Sequence, residues 1–426
     1  MKKAESLQDI KRVFRYNDKY LAEEDANVYE NLYARSMKKL ELEIEDSEIH
    51  YDTFYITGQS GNGKSTALNH LKSNSKYIRE KYNIKHLFAN DIFDFSDDLT
   101  IVDVLLMVGL SLVEDEKVLQ EKYLNKLQEL KDIHLKKLEK SIVEESKTDS
   151  QLQSTVFAKS EIGFLSMFKF GVNLKQDYSV NENNRILLRK LFLPNRRELL
   201  NLVNEIINDY NLKDGKKLLL IIDDLEKKNV DEELFTRHKE LIEKLEVLKI
   251  VMIPVNYATS GNIYKLNLRL NENPITNTQN RDEQLSQNLQ ALKNLIYKRI
   301  DDNHKKLIPD TKEIVEKIIH FSGGNIRQLL QLVSEASLSS RLNDGKIISE
   351  KDVDEAIQNS LNLVAIGTTS KVSFLKYVNK HHIPDENEQQ KLKESIADNT
   401  IFAYFNGTPW YEVNPVIKQY IEDIKI

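Results

Sequence analysis

No cysteine occurs anywhere in the 426 residues, which removes disulfides, thiolate nucleophiles and cysteine zinc sites together. The nine histidines are scattered, with no H-E-x-x-H or other paired-ligand spacing, so a histidine metal centre has no footing. His381 and His382 are neighbours that point apart on a helix and read as a solvated pair. No apolar run is long enough to span a bilayer: the most apolar stretch, Ile101 to Val113, is too short and carries Asp103. The opening Met1-Lys2-Lys3-Ala4-Glu5-Ser6 is charged and lacks the apolar centre of a signal peptide, so the expected location is the cytoplasm. A net charge of -6 argues against a general nucleic-acid coat while leaving room for a local basic face. What is present, 40% hydrophobic and 30% charged residues, suits a globular protein with cores for two or three domains.

Glycine is also scarce, 13 in the whole chain, which makes one stretch conspicuous: Gly58-Gln59-Ser60-Gly61-Asn62-Gly63-Lys64-Ser65-Thr66. The apolar run Phe54-Tyr55-Ile56 precedes it as a strand, and Ala67-Leu68-Asn69-His70-Leu71 follows as the first turns of a helix. Strand, glycine loop and helix with G-x-x-x-x-G-K-[ST] spacing form the pattern that cradles nucleotide phosphates. Backbone N–H groups have to converge on the anion, and glycine lets the chain curl closely enough. The helix start adds partial positive charge. Lys64 is expected to reach the β and γ phosphates of ATP, and the Ser65 hydroxyl to ligate Mg²⁺.

Around this loop the pattern alternates strands and helices. Residues 1–50 read as helix, with Val28, Leu32 and Met37 on a rough helical period. Ile84 to Phe88 suggests a second strand, and Ile101 to Val113 a largely buried helix. From Glu114 to Glu145 the chain is rich in lysine and glutamate, with Leu119, Tyr123, Leu127, Leu130, Leu138 and Ile142 on one stripe. The heptad slips near Lys131 to Leu135, which favours a helix covering a core over a coiled coil. Around Ile162 to Phe170 the aromatic and polar residues suggest a β-hairpin. The distance from Lys64 to the next nucleotide motif makes residues 114–185 an insertion, the kind of segment that often carries partner specificity.

Lys216 to Ile222 is a continuous apolar run after two lysines, a strand buried on both faces, and it ends in Asp223-Asp224-Leu225-Glu226. Ligands of open α/β sheets sit at the carboxyl ends of strands. Asp223 is therefore expected to hold Mg²⁺ and Asp224 to polarise the attacking water. A further strand, Leu248 to Val255, leads to Asn256, which has two readings: a bond to the γ-phosphate or the attacking water, or a loop cap. Tyr264 to Leu270 reads as the last strand. From Gln284 the pattern is helical, with Gly323 and Gly324 ending one helix, Asn325 capping the next and Arg327 in its first turn. Ser349 and Asp352 stand in capping-box spacing at another helix start. At the end, helices at Val372 to Asn379 and Glu388 to Ala397 precede strands at Ile401 to Phe405 and Trp410 to Val413, a winged-helix pattern. Its charges nearly balance, so charge does not favour DNA binding, and protein docking is at least as strong an expectation.

Glycine loop, strand ending in two acids, strand leading to Asn256, and a helical segment with Gly323-Gly324-Asn325-Ile326-Arg327 together resemble the AAA+ ATPases. The likeness is to the origin-recognition and initiator-like branch and to related bacterial transposition and defence ATPases. The run Ile222 to Glu226 also resembles signal-transducing P-loop ATPases of the STAND and KAP type. The resemblance covers residues 50–360 less the insertion. It implies that Gly58 to Ser65 form a Walker A loop, Asp223 and Asp224 Walker B, Asn256 sensor 1 and Arg327 sensor 2. Asp224 stands where the pattern usually has Glu, and only Arg269 and Arg281 offer themselves as an arginine finger. The implied fold is a P-loop α/β core with parallel sheet, a helical lid and a C-terminal winged helix. The expected boundaries are 1–50 for the helical start, 51–282 for the core, 283–362 for the lid and 363–426 for the winged helix. The implied function is a Mg²⁺-dependent ATPase switch that assembles on ATP, as a homo-oligomer or with an effector, and acts on DNA or a DNA-bound partner away from membranes. The other reading is a signalling or anti-phage defence ATPase whose nucleotide state gates a protein effector.

Overall fold

The computed structural model describes residues 2–14, 27–47, 51–93, 98–145, 182–211, 215–227, 229–230, 232–257, 262–275, 281–365, 369–405 and 408–424. The chain forms two compact units. One comprises residues 1–44, 56–75 and 258–426, and the other residues 45–55 and 76–257. Strand β1 (Thr53–Thr57) runs from the second into the first.

In the second unit, β2 (Tyr82–Phe88), β4 (Lys217–Asp223) and β6 (Leu248–Met252) pair in parallel, with Phe88 opposite Asp223. The five-stranded sheet has the order β2-β4-β6-β1-β7, where β7 is Ile263–Lys265. All of β4 beyond Lys217 is buried, as a strand covered on both faces requires. A short pair, β3 (Asp98–Leu99) with β5 (Asn229–Val230), lies apart from the main sheet.

Two charged residues in apolar stretches have specific partners. Asp103, fully buried, completes a capping box with Thr100 at the start of helix Ile101–Glu114 and accepts from Arg189 Nε at 2.8 Å and 2.9 Å. Lys249, on β6, is 0% exposed, and its ammonium donates to the carbonyls of Tyr51, Glu243, Leu245 and Val247 at 2.9–3.1 Å. Burial pulls its pKa down to about 7, and the four carbonyls supply the compensating acceptors.

Helix Lys117–Glu145 packs on the buried helix and on Arg196–Asn211. Its buried stripe starts at Leu119, Tyr123 and Leu127 and then steps to Lys131, His134 and Leu135, where the heptad slips. It covers a core. The hairpin expected around Ile162 to Phe170 lies outside the described residues.

The first unit opens with helix Leu7–Val13, capped by Ser6 and Asp9. Val28 and Leu32, expected on a helix, instead precede helix Ala34–Glu45 in turns and extended chain. The segment expected to form a lid contains helix Arg281–Tyr297, then Lys317–Ser322, Ile326–Leu342 and Glu350–Ala365. Gly323, left-handed at φ 58°, closes one helix, and the Asn325 side chain caps the next by accepting from Gln328 N at 3.1 Å.

The C-terminal winged helix has helices Val372–His381 and Gln389–Ala397 and the antiparallel strands β8 (Ile401–Phe405) and β9 (Pro409–Val413), paired from Ile401 opposite Val413. A closing helix, Pro415–Asp423, was not expected from sequence; it adds Ile417 and Ile421 to a core with Phe374, Leu375, Leu392 and Ile401. Among the described residues no helix is long and apolar enough to cross a membrane.

Candidate functional site

The phosphate-type loop belongs to the first unit. Its successive carbonyls are all engaged. Lys64 Nζ donates to Gly58 O at 2.9 Å and Gln59 O at 3.1 Å, Asn325 Nδ2 to Ser60 O at 2.7 Å, Arg327 N to Gly61 O at 3.0 Å, Tyr33 Oη to Asn62 O at 2.8 Å and Ala67 N to Gly63 O at 2.9 Å. A peptide plane whose carbonyl is held on one side presents its N–H on the other, which is how such a loop makes an anion nest. Gly61 has φ 91°, and a Cβ there would lie 2.6 Å from Asn325 Oδ1 and 2.9 Å from Arg327 Cβ. A side chain at Gly58 would collide with the Leu266 carbonyl just beyond β7.

Lys64 starts helix Lys64–Asn74, is 4% exposed, and has its ammonium turned onto its own loop. Ser65 and Thr66 lie half-buried in the first helical turn. Arg327 reaches the loop too, with Nη1 3.3 Å from Ser60 Oγ. Gln59 and Asn62 behave differently from simple phosphate ligands: Asn62 Nδ2 donates to Leu266 O at 3.2 Å, and the Gln59 side chain points into the winged helix. Tyr33 and Asn325, which fix two loop carbonyls, carried no loop-binding signal in the sequence; Asn325 read only as a cap.

The acid cluster belongs to the second unit. Carboxylate oxygens of Asp223, Asp224 and Glu226 lie within 4.8 Å of one another, with both aspartates buried. Asp224 is left-handed at φ 67°, a strained state for a residue other than glycine and one that aspartate tolerates better than most. Its N–H donates to Asp223 Oδ1 at 2.6 Å, and its Oδ2 accepts from Asn90 Nδ2 at 3.0 Å. His86, on β2, places Nε2 3.2 Å from Asp223 Oδ2 and stacks on Phe88 at 4.1 Å between ring centroids. Among the described residues its Nδ1 is buried without a hydrogen-bond partner, and because a carboxylate oxygen only accepts, Nε2 is the donor in the contact with Asp223. Three clustered carboxylates are hard oxygen donors and fit Mg²⁺. His86 and Asn90 were missed from sequence because only strand pairing brings residues so far apart in the chain together.

β6 ends at Met252, short of the expected Val255, and Asn256 lies half-buried in the short turn Val255–Tyr257. Arg269 is buried in the first unit, with Nη2 donating to Gln284 Oε1 at 3.0 Å, which is the setting of a structural arginine and not of a finger extended toward a neighbour. β7 is shorter than the strand expected from Tyr264 to Leu270.

Together the elements make a mixed α/β fold in which a glycine loop leads from a strand into a helix and a helix pair with a hairpin lies near the C-terminus. No family model and no curated protein matches the chain. Solved structures similar to it include Cdc6p of Pyrobaculum aerophilum, with a TM-score of 0.41 and 9% identity over 97% of this chain and 98% of that one. The Aeropyrum pernix ORC2 protein in ADPNP–ADP complexes has a TM-score of 0.40 and 11% identity over 96% and 97%. Drosophila ORC bound to DNA has a TM-score of 0.39 and 10% identity over 98% and 92%.

Proposed function

We propose that the protein is a Mg²⁺-dependent ATP-binding and ATP-hydrolysing switch of the AAA+ type that assembles on ATP and acts on DNA or a DNA-bound partner. The observation that carries this reading is the glycine loop whose carbonyls from Gly58 to Gly63 are all bonded away from the nest. Such a loop binds phosphate through backbone N–H groups, with Lys64 as the mobile charge and Ser65 as the hydroxyl for the metal. When bound, Mg²⁺ neutralises charge developing on the phosphates. Asp223, oriented by His86 Nε2, is the acid for the cation. Asp224, held by Asn90, is the carboxylate that takes up the proton of the attacking water. Asn256 and Arg327 are proposed to sense the γ-phosphate, Arg327 through a guanidinium that already reaches Ser60.

The test is ATPase rate and oligomer mass measured with and without duplex DNA. Mg²⁺-dependent turnover, with assembly on ATP and a response to DNA, is the expected result. Turnover and assembly indifferent to DNA would move the function to a protein effector. No nucleotide binding at all would remove the ATPase reading.

A further inference from the structure

The Gln59 side chain lies in the middle of the phosphate loop and is 2% exposed, yet its amide is spent entirely on the winged helix. Nε2 donates to Ile396 O at 2.7 Å, Asn399 Oδ1 at 3.0 Å and Ile401 O at 3.2 Å, and Oε1 accepts from Ala403 N at 3.4 Å. Its acceptors run from the last turn of helix Gln389–Ala397 to the start of β8, and Asn399 in the turn between them is itself left-handed at φ 61°. The next loop residues, Ser60 and Gly61, are held by Asn325 and Arg327 of the lid. The lid is braced to the winged helix in turn, by Tyr404 Oη to Gly323 O at 2.6 Å and by reciprocal amide bonds between Gln328 and Asn414 at 2.9 Å. Three consecutive loop residues are thus gripped by two different elements.

Resting on the reading of this loop as a nucleotide site, we infer that Gln59 is a positioning residue through which the docked winged helix restrains the phosphate loop, so that nucleotide binding and release of the turn 396–403 are coupled. The reason is the second grip on the same residue. Lys64 Nζ holds the carbonyls of Gly58 and Gln59, and it has to leave them to reach a phosphate. Once it leaves, the Gln59 carbonyl keeps only its bond from Asn62 N at 3.2 Å, so the peptide can tilt and the side chain no longer matches four fixed partners. Asp398 and Thr400 of this turn line a pocket of about 330 Å³ with Gln328, Gln331 and Ser360, and among the described residues the Ser360 Oγ is buried without a hydrogen-bond partner. A ligand whose competent state is only partly populated binds more weakly by that fraction, and loosening the restraint returns the lost affinity.

The experiment combines amide exchange at Ala403 with the affinity for a fluorescent ATP analogue, mant-ATP, in the full chain. Gln59→Ala should speed exchange of the Ala403 amide without nucleotide and tighten mant-ATP binding by about three- to tenfold. Asn399→Gly keeps the left-handed backbone, removes one acceptor far from the phosphates, and should shift both readouts the same way by less. The two changes together should fall short of the sum of their separate effects, as direct partners do. Mant-ATP should itself speed exchange at Ala403 in the wild type. Unchanged Ala403 exchange in Gln59→Ala would show that the grip does not exist in solution. Faster exchange with weaker binding in both variants would make Gln59 a support of the loop and overturn the restraint. Failure of the wild type and both variants to bind mant-ATP would sink the ATPase reading itself, and the coupling with it.

Discussion

The phosphate loop and the acid cluster solve the same problem, holding charged chemistry on a fixed backbone, by opposite means. In the loop, glycines take the unusual conformations and side chains from Tyr33, Asn325 and Lys64 satisfy the carbonyls. At the acids, Asp224 itself takes the left-handed turn at φ 67°, and the holding groups, His86 and Asn90, come from β2 and the turn that follows it. The difference teaches where each is vulnerable. The loop depends on side-chain bonds from three separate residues, whereas the acids depend on a sheet that cannot shift without losing its register.

The largest effect should come from the sheet side. Lys249→Met removes the donor to four carbonyls, two of them in fully buried bonds, and the lost charge-assisted bonds should cost about 4 kcal/mol in total. Urea unfolding would measure it, and a loss under about 1 kcal/mol would mean the carbonyls find water instead.

On the loop side, Lys64→Ala should abolish ATP binding while the protein stays folded. Saturation at a hundred times the dissociation constant stabilises a fold by about 2.7 kcal/mol, so MgATP should raise the melting temperature of the wild type alone. An equal rise in the variant removes Lys64 from the site.

Asp224 sharpens the contrast at a smaller scale. Asp224→Asn keeps a side chain that tolerates left-handed backbone, so it should bind MgATP and turn over slowly. Asp223→Asn should instead weaken the metal. Asp224→Ala should add a backbone penalty of about 1 kcal/mol, read by thermal melting. Normal turnover by Asp224→Asn would transfer the activating role to Glu226.

The smallest effect is electrostatic and belongs to the first unit. Burial raises the pKa of Glu412, opposed by its bond from Asn271. Between the unfolded and the raised folded pKa the native state binds more protons, so the stability it contributes falls as pH rises through that window. Glu412→Gln removes that slope. The variant should gain on the wild type as pH rises through that window, and a constant difference would show that Glu412 does not titrate with folding.

Much was legible because it is written locally. The loop spacing, the Gly323 and Asn325 caps, the Ser349–Asp352 box and the double-acid strand end each depend on residues within a few positions, and backbone geometry follows from such neighbours. The closing helix Pro415–Asp423 escaped the reading although Asn414 caps it and Pro415 occupies its first turn, because the hairpin before it drew the pattern toward strands. His86, Asn90 and Tyr33 could not be assigned to their roles, since each acts on a residue many positions away.

By itself the sequence determined that a glycine loop would follow a strand, that Asp223 and Asp224 would end a buried one, and that two helices and a hairpin would stand near the end of the chain. Those outcomes depend on the period of apolar residues and on the few residue types that turn a backbone. Only the tertiary structure decided that Lys64 would close on its own loop and that Gln59 would leave the phosphate side for the carbonyls of Ile396 and Ile401. An amide is satisfied by whatever acceptors packing brings within reach, and no local pattern names acceptors more than three hundred positions away.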